Sequence, residues 1–277
     1  MASRILSLSA LTVLELSPAD LVTCAADAGY SHVGVRLVPA TPTEVQWETI
    51  GDTPMIRDTL ARLAATGVEV LDIEILRLKP ETRVADFLPV LETAARLGAR
   101  NALVAGNDPD EARLTDNFGR LCDLAAPFAI APNLEPMPWT DARDFAQGAR
   151  IVGNAARANA GLLIDAIHFD RGGSVASEIR GVPASWFRYA QICDAPAQRP
   201  ADLEGLLFQA RAERMLPGEG GLDLIGILSA LPRDLPVSLE IPMERLAKTV
   251  PALERARRAL AATRLLLDRL PAPAPNT

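Results

Sequence analysis

The stretch 101–137, NALVAGNDPDEARLTDNFGRLCDLAAPFAIAPNLEPM, decides the fold. Its apolar run at 101–105 predicts a buried strand, and residues 110–126 have the spacing of an amphipathic helix. The next apolar run, 129–137, predicts a second strand. A strand, a helix and a strand in this order indicate a parallel pair, because a crossover helix must return the chain to the same end of the sheet.

The same unit recurs along the chain. The predicted strands are residues 5–10, 32–37, 68–76, 101–105, 129–137, 161–166, 187–194 and 237–241. The predicted helices are residues 17–28, 52–66, 84–97, 110–126, 141–154, 174–180, 222–231 and 249–270. Eight βα units in series predict an α/β protein with a single (β/α)8 TIM barrel over residues 1–270. An open dinucleotide-binding sheet is disfavoured, because no G-x-G-x-x-G follows the first strand. We expect the Pro-rich tail, 271–277, to be disordered.

Composition excludes several classes of partner. The chain of 277 residues has a net charge of −7 and no basic cluster, which disfavours nucleic-acid binding. It contains no apolar run long enough for a membrane span and no secretory signal, so we expect a cytoplasmic protein. Three scattered cysteines do not form a disulfide framework. A homodimer remains an open alternative.

Oxygen-bearing side chains end four consecutive predicted strands, at Glu135, Asp165, Gln191 and Glu240. In a barrel these strand ends converge on one mouth, where catalytic groups lie. Buried carboxylates repel one another unless a cation balances them, so the pattern predicts one divalent metal ion. Oxygen ligands favour Mn²⁺ or Mg²⁺, and Co²⁺, Fe²⁺ or Zn²⁺ are also compatible. The alternative is that these are independent strand-end acids, solvated or paired with arginines.

Four motifs carry a family resemblance. They are LEPMPW at 134–139, DAIH at 165–168, PGEGGLD at 217–223 and SLEIP at 238–242. Through them the chain resembles the xylose-isomerase-like TIM barrels, the sugar phosphate isomerase/epimerase superfamily. The resemblance implies a metal held by Glu, Asp, His and Glu from strands five to eight. Glu135, Asp165 and Glu240 match these positions, and Gln191 stands where histidine is usual.

The resemblance also implies catalytic roles. Glu135 and Glu240 would move a proton on opposite sides of a carbon next to a carbonyl, while the metal polarises that carbonyl. Asp165 would be a plain ligand, and His168 would hydrogen-bond the substrate oxygen that becomes negative. A structural histidine is the alternative for His168.

The leading hypothesis is a metal-dependent isomerase or epimerase of a sugar, sugar phosphate or keto-polyol. The runner-up is a dehydratase of a keto-polyol or dehydroshikimate-like substrate at the same site, because both reactions begin with the same proton abstraction. A non-catalytic barrel that only binds a ligand or partner is a third hypothesis. A DNA-repair endonuclease of the same fold is disfavoured by the two histidines and the negative charge, and Schiff-base chemistry at Lys79 is a further alternative.

Five other residues are candidates for binding a small carbohydrate-like substrate. Glu74, inward on strand three, can contact a substrate hydroxyl or form an ion pair with Arg36 or Arg77. Arg36, Arg211 and Arg214 can meet an anionic substrate group or lie solvated at the surface. Trp139 can wall the pocket or serve only in packing.

Overall fold

The computed structural model describes residues 4–271. Its strands are β1 (Leu6–Ser9), β2 (His32–Arg36), β3 (Glu69–Leu78), β4 (Asn101–Gly106), β5 (Ala131–Glu135), β6 (Gly161–Leu162), β7 (Ile164–Asp165), β8 (Ala190–Ile192) and β9 (Val237–Leu239). Its α-helices are α1 (Pro18–Ala28), α2 (Pro54–Thr66), α3 (Leu88–Arg96), α4 (Glu111–Ala125), α5 (Phe145–Ala155), α6 (Ala166–Arg171), α7 (Ala176–Ile179), α8 (Leu203–Arg211), α9 (Leu224–Ala230), α10 (Glu244–Ala247) and α11 (Ala252–Asp268). Short 3-10 helices cover Ala10–Val13, Val84–Phe87, Ala126–Phe128 and Ala184–Trp186.

All strand pairs in the sheet are parallel, in the order β6-β5-β4-β3-β2-β1-β9-β8-β7. Only Leu163 separates β6 from β7, and its amide donates to the Leu134 carbonyl at 2.9 Å. The two short strands are therefore halves of one barrel strand. The first half pairs with β5 and the second with β8, so the sheet nearly closes into a ring. This confirms the predicted (β/α)8 barrel.

Local capping chemistry explains why α1 and α4 begin where the sequence predicts. The Ser17 hydroxyl accepts a hydrogen bond from the Asp20 amide at 3.1 Å, and Pro18 takes the first helical position of α1. Gly29 ends that helix with φ of 92°, a left-handed conformation that favours glycine. Asp110 caps α4 in the same way as Ser17 caps α1.

Strand β3, predicted at 68–76, departs from the regular alternation of side chains that a strand normally has. Strict alternation would place Leu71, Ile73 and Ile75 on one face, but the pairing register of β3 shifts against both neighbours. As a result Leu71 and Ile75 pack in an interior cluster with residues of other strands, whereas Ile73 joins the outer core. The bulges thus turn apolar side chains inward beside the buried carboxylates of Asp72 and Glu74.

Two connections also differ from the prediction. The segment 196–221 contains α8, which we did not predict. The helix predicted at 174–180 is reduced to α7, and a further helix, α6, begins immediately after β7 with Asp165 as its cap. Apart from Pro271, the predicted tail lies outside the described residues. Among the described helices, none combines the length and apolar character that crossing a bilayer requires.

Candidate active site

The parallel strands deliver the predicted acids to one end of the barrel. Glu135 ends β5, Asp165 ends β7, Gln191 lies in β8 and Glu240 directly follows β9. All four are buried, with at most 4% of their surface exposed. Glu135 and Glu240 line the same cavity. Gln191 donates a hydrogen bond to Glu240, and Arg214 forms ion pairs with both Asp165 and Glu240.

The DAIH motif places a histidine beside the acids. The Asp165 Oδ1 atom caps α6 by accepting from the Ile167 amide at 2.9 Å. His168 lies one turn into that helix, so its Nε2 atom is 3.7 Å from Glu135 Oε1 and 3.8 Å from Asp165 Oδ2. Ligand atoms from these three residues all lie within 4.8 Å of one another.

Arg214 occupies a different place from the one predicted for it. It is buried, and its Nη1 and Nη2 atoms lie 2.7 Å from Asp165 Oδ2 and 2.9 Å from Glu240 Oε2. Burial alone would lower the pKa of Arg214, but the facing carboxylates raise it. Its charge is therefore balanced within the protein rather than presented to an anionic substrate group.

The two outer glutamates have unequal surroundings. Glu240 Oε1 accepts hydrogen bonds from Gln191 Nε2 at 3.1 Å and from the Ser9 hydroxyl at 3.3 Å, in addition to the Arg214 ion pair. Glu135 Oε1 is buried and has no hydrogen-bond partner among the described residues. Burial, followed by the charges of Asp165 and Glu240, raises the pKa of Glu135 well above its usual value.

Glu135, Asp165 and His168 fit a divalent cation. Burial, followed by the charges of Arg214 and Arg211, lowers the pKa of His168 well below 6.5. Its imidazole is therefore neutral near pH 7 and available as a ligand. The Glu135 Oε1 atom is a buried ligand atom that accepts no hydrogen bond from the described residues. The four-residue ligand set that includes Gln191 and Glu240 stays a prediction.

The mouth of the barrel forms a cavity of about 300 Å³, the size of a small-molecule site. Glu74, a candidate substrate contact, instead pairs with Arg36 through Nη2 at 2.5 Å and accepts from the Ser9 hydroxyl at 3.0 Å. Arg36 also pairs with Glu44 at 3.0 Å. The ion pair was one of the two alternatives for Glu74, and it leaves Arg36 without free charge for a substrate anion.

Trp139 and Arg211 line this cavity together. The indole of Trp139 meets His168 edge-on, with ring centroids 4.8 Å apart. The guanidinium carbon of Arg211 lies 5.7 Å from the centroid of the indole ring. Trp139 thus lines the cavity, and its contact with a substrate stays a prediction.

Sequence reasoning did not name Ser9, and it considered Arg77 only as a possible ion-pair partner of Glu74. Arg77 near the end of β3 lines the cavity, and Ser9 at the end of β1 connects Glu74 to Glu240. Their position at the mouth end of a barrel strand, the signal used for the acids, could have identified both.

Comparison with known proteins identifies the family. The family model described as "Xylose isomerase-like TIM barrel" matches residues 22–266, and the chain belongs to this family. A curated relative, 3-dehydroshikimate dehydratase of Pseudomonas aeruginosa, is 28% identical over 204 residues. That match covers 67% of this chain and 31% of the relative, so the chain spans about a third of the relative's length.

Solved structures share the fold. The IolI protein, solved with a zinc atom, superposes with a TM-score of 0.78 at 22% identity, covering 96% of this chain and 98% of that one. D-allulose 3-epimerase from Methylomonas sp., solved in complex with D-allulose, has a TM-score of 0.67 at 16% identity, covering 95% and 97%. Epimerases and a dehydratase are thus both among the proteins that this chain resembles.

Proposed function

We propose that this chain is a metal-dependent enzyme that removes a proton from the carbon next to the carbonyl of a small polyhydroxylated ketone, and that Glu135 is the base. The observation that carries the proposal is the buried, unpartnered Oε1 atom of Glu135 beside Asp165 and His168. Its raised pKa brings the carboxylate closer to the basicity that proton abstraction near neutral pH requires. A divalent cation held by these three residues would supply polarisation of the carbonyl.

Of the two reactions that begin this way, dehydration is better supported. Epimerisation needs two free carboxylates, but Glu240 already accepts from Arg214, Gln191 and Ser9. Dehydration needs only one base. Glu135 takes the α-proton and returns it to the β-hydroxyl, which leaves as water while the carbon–carbon double bond forms. The dehydratase relative supports the same choice at the level of sequence.

Isomerisation or epimerisation is the second candidate. The observation that favours it is that Glu135 and Glu240 line the same cavity. In this reaction Glu240 must first be released from Arg214, because both of its carboxylate oxygens are engaged by Arg214, Gln191 and Ser9.

Turnover assays separate these functions. Purified chain with Mn²⁺ is incubated in D₂O with 3-dehydroshikimate and, separately, with D-allulose. New conjugated ultraviolet absorbance indicates dehydration, and deuterium in recovered sugar indicates epimerisation. We expect Glu135→Gln to lower either rate by about 10²–10⁴-fold, whereas Glu92→Gln, exposed on α3, leaves it unchanged.

Metal analysis tests the non-catalytic reading. The proposal expects one divalent ion per chain after purification without chelator, and lower affinity in His168→Ala. Absence of bound metal, no thermal stabilisation by added Mn²⁺, Mg²⁺ or Zn²⁺, and no turnover of either substrate would favour a barrel that only binds a ligand.

A further inference from the structure

Four arginines line the cavity, and they divide into two pairs. Arg36 is neutralised by Glu74 and Glu44, and Arg214 by Asp165 and Glu240. The other two, Arg77 and Arg211, form no ion pair with a carboxylate in the part of the chain that the structure describes. Arg77 is half-buried and Arg211 is exposed to solvent, so both guanidinium groups are open to a ligand bound in the cavity.

Arg77 is held in place by neutral groups. Its Nη1 atom donates to Asn107 Oδ1 at 3.1 Å, and its Nη2 atom lies 3.5 Å from the Ala40 carbonyl oxygen. Burial, followed by the charge of Arg211, lowers the pKa of Arg77. These contacts fix the guanidinium at the cavity without balancing its charge.

Arg211 approaches the same cavity from α8. Its guanidinium is positioned over the Trp139 indole rather than by an acid, and it has no hydrogen-bond acceptor among the described residues. The Trp139 Nε1 atom is buried and also lacks a partner there. Arg77, Arg211 and Trp139 therefore line one cavity, and none of their donor groups is paired with a carboxylate in the described part of the chain.

We propose that Arg77 and Arg211 form a subsite for an anionic group of the substrate, a carboxylate or a phosphate. Two like charges at one cavity are unfavourable until an anion lies between them. The planar guanidinium presents paired donors that match both of these anions. The subsite would hold the substrate by this group, while Glu135 and His168 line the same cavity at its reacting carbon. The assignment of that reacting end rests on the proposed function; the binding of the anion does not.

Binding of small anions tests the subsite without any turnover. Metal-free protein is titrated calorimetrically with inorganic phosphate and with malonate at low ionic strength. We expect one anion to bind, and Arg77→Gln and Arg211→Gln each to weaken that binding at least tenfold. The control Arg264→Gln removes the same charge from an exposed position on α11 and keeps the affinity of the unmodified chain. Tighter binding of phosphate indicates a sugar phosphate, and tighter binding of malonate indicates a keto acid.

The two proposals can fail separately. If neither anion binds, or if both arginine variants bind as tightly as the unmodified chain, the subsite is refuted even where a neutral ketose is turned over. If the anion binds as expected but neither test substrate reacts, the subsite stands and the proposed chemistry fails. Glu135→Gln connects the two experiments, because it should retain anion binding while losing turnover.

Discussion

At the scale of single residues, the central feature is the guanidinium of Arg214 between two buried acids. Each carboxylate would lose its countercharge if this side chain were removed, and an uncompensated buried charge is far more costly than a broken surface pair. Arg214 is also tied to the Ala210 carbonyl by its Nε atom at 2.7 Å, so it fixes the end of α8 against the acids.

Arg214→Met should therefore destabilise the metal-free protein strongly. We expect a loss of about 3–5 kcal/mol in the free energy of unfolding, measured by urea denaturation in the presence of chelator. Added Mn²⁺ should recover part of this loss, since a cation can balance Asp165 and Glu240 in place of the arginine. Arg214→Lys keeps the charge, so its free energy of unfolding should fall less than that of Arg214→Met. A change no larger than that of an exposed arginine variant would show that this ion pair contributes nothing to stability.

At the scale of elements, α8 covers the barrel mouth and is attached to α6 by one buried side chain. Arg171 Nε donates to Gln209 Oε1 at 2.9 Å, and its Nη2 donates to the Pro196 carbonyl at 2.6 Å. These bonds join the beginning of the 196–221 segment and α8 to the helix that carries His168. Leu206 and Ala210 of α8 are buried, whereas Leu203 and Phe208 are exposed, so only one face of this helix is packed.

Replacing Arg171 should loosen that segment selectively. In Arg171→Met we expect the local opening free energy of α8 to fall by about 1–3 kcal/mol, because hydrogen bonds to a buried charged group are lost. Hydrogen exchange should accelerate in α8 and remain unchanged in β1–β5. The control is Arg180→Met, because Arg180 is exposed and follows the end of α7. This variant should leave hydrogen exchange unchanged in both α8 and β1–β5. Equal acceleration throughout the barrel would mean that Arg171 stabilises the whole fold rather than this connection.

At the scale of the whole molecule, the barrel interior contains a carboxyl group that the proposed reaction does not use. Asp72 is fully buried, and neither of its oxygen atoms has a hydrogen-bond partner among the described residues. Gly34 makes room for it, because a Cβ atom at position 34 would lie 2.9 Å from Asp72 Oδ1. Burial, followed by the charges of Glu74 and Glu240, raises the pKa of Asp72 well above 3.8.

This raised pKa predicts an unusual pH dependence of stability. Above 3.8 the unfolded chain releases a proton that folded Asp72 retains, so the free energy of unfolding falls as pH rises toward the folded pKa. Each unit of difference in pKa corresponds to about 1.4 kcal/mol. Asp72→Asn should flatten this decline in metal-free protein at pH values above 3.8.

The control for this prediction is Asp116→Asn, which changes an exposed acid on α4. His168 changes the free energy of unfolding in the opposite direction, because its lowered pKa reduces stability as the pH falls below 6.5. This change is the same in the unmodified chain and in both variants. Parallel stability curves for the unmodified chain and Asp72→Asn would contradict the prediction.

The barrel could be predicted from sequence because its signals are local. Apolar runs, Ser17, Asp110 and the glycine after α1 act within a few residues of where they stand. The acidic residues could be located for the same reason, because each lies at or next to the end of a strand. The position of Arg214 could not, because it depends on how a long connection without a repeating pattern folds back over the barrel. The choice between partners for Glu74 likewise depended on the register between β2 and β3, which bulges alter.

The interruption of the sixth barrel strand at Leu163 has a mechanical consequence. Because β6 is bonded to β5 alone and β7 to β8 alone, Glu135 and Asp165 belong to opposite sides of a seam. Slight spreading of that seam would lengthen the gap between these two residues while Asp165, Arg214 and Glu240 stay together as one unit. A metal site in which Asp165 is held firmly and Glu135 can shift slightly can accept cations of different radius. We therefore expect the chain to bind several divalent metals rather than one alone.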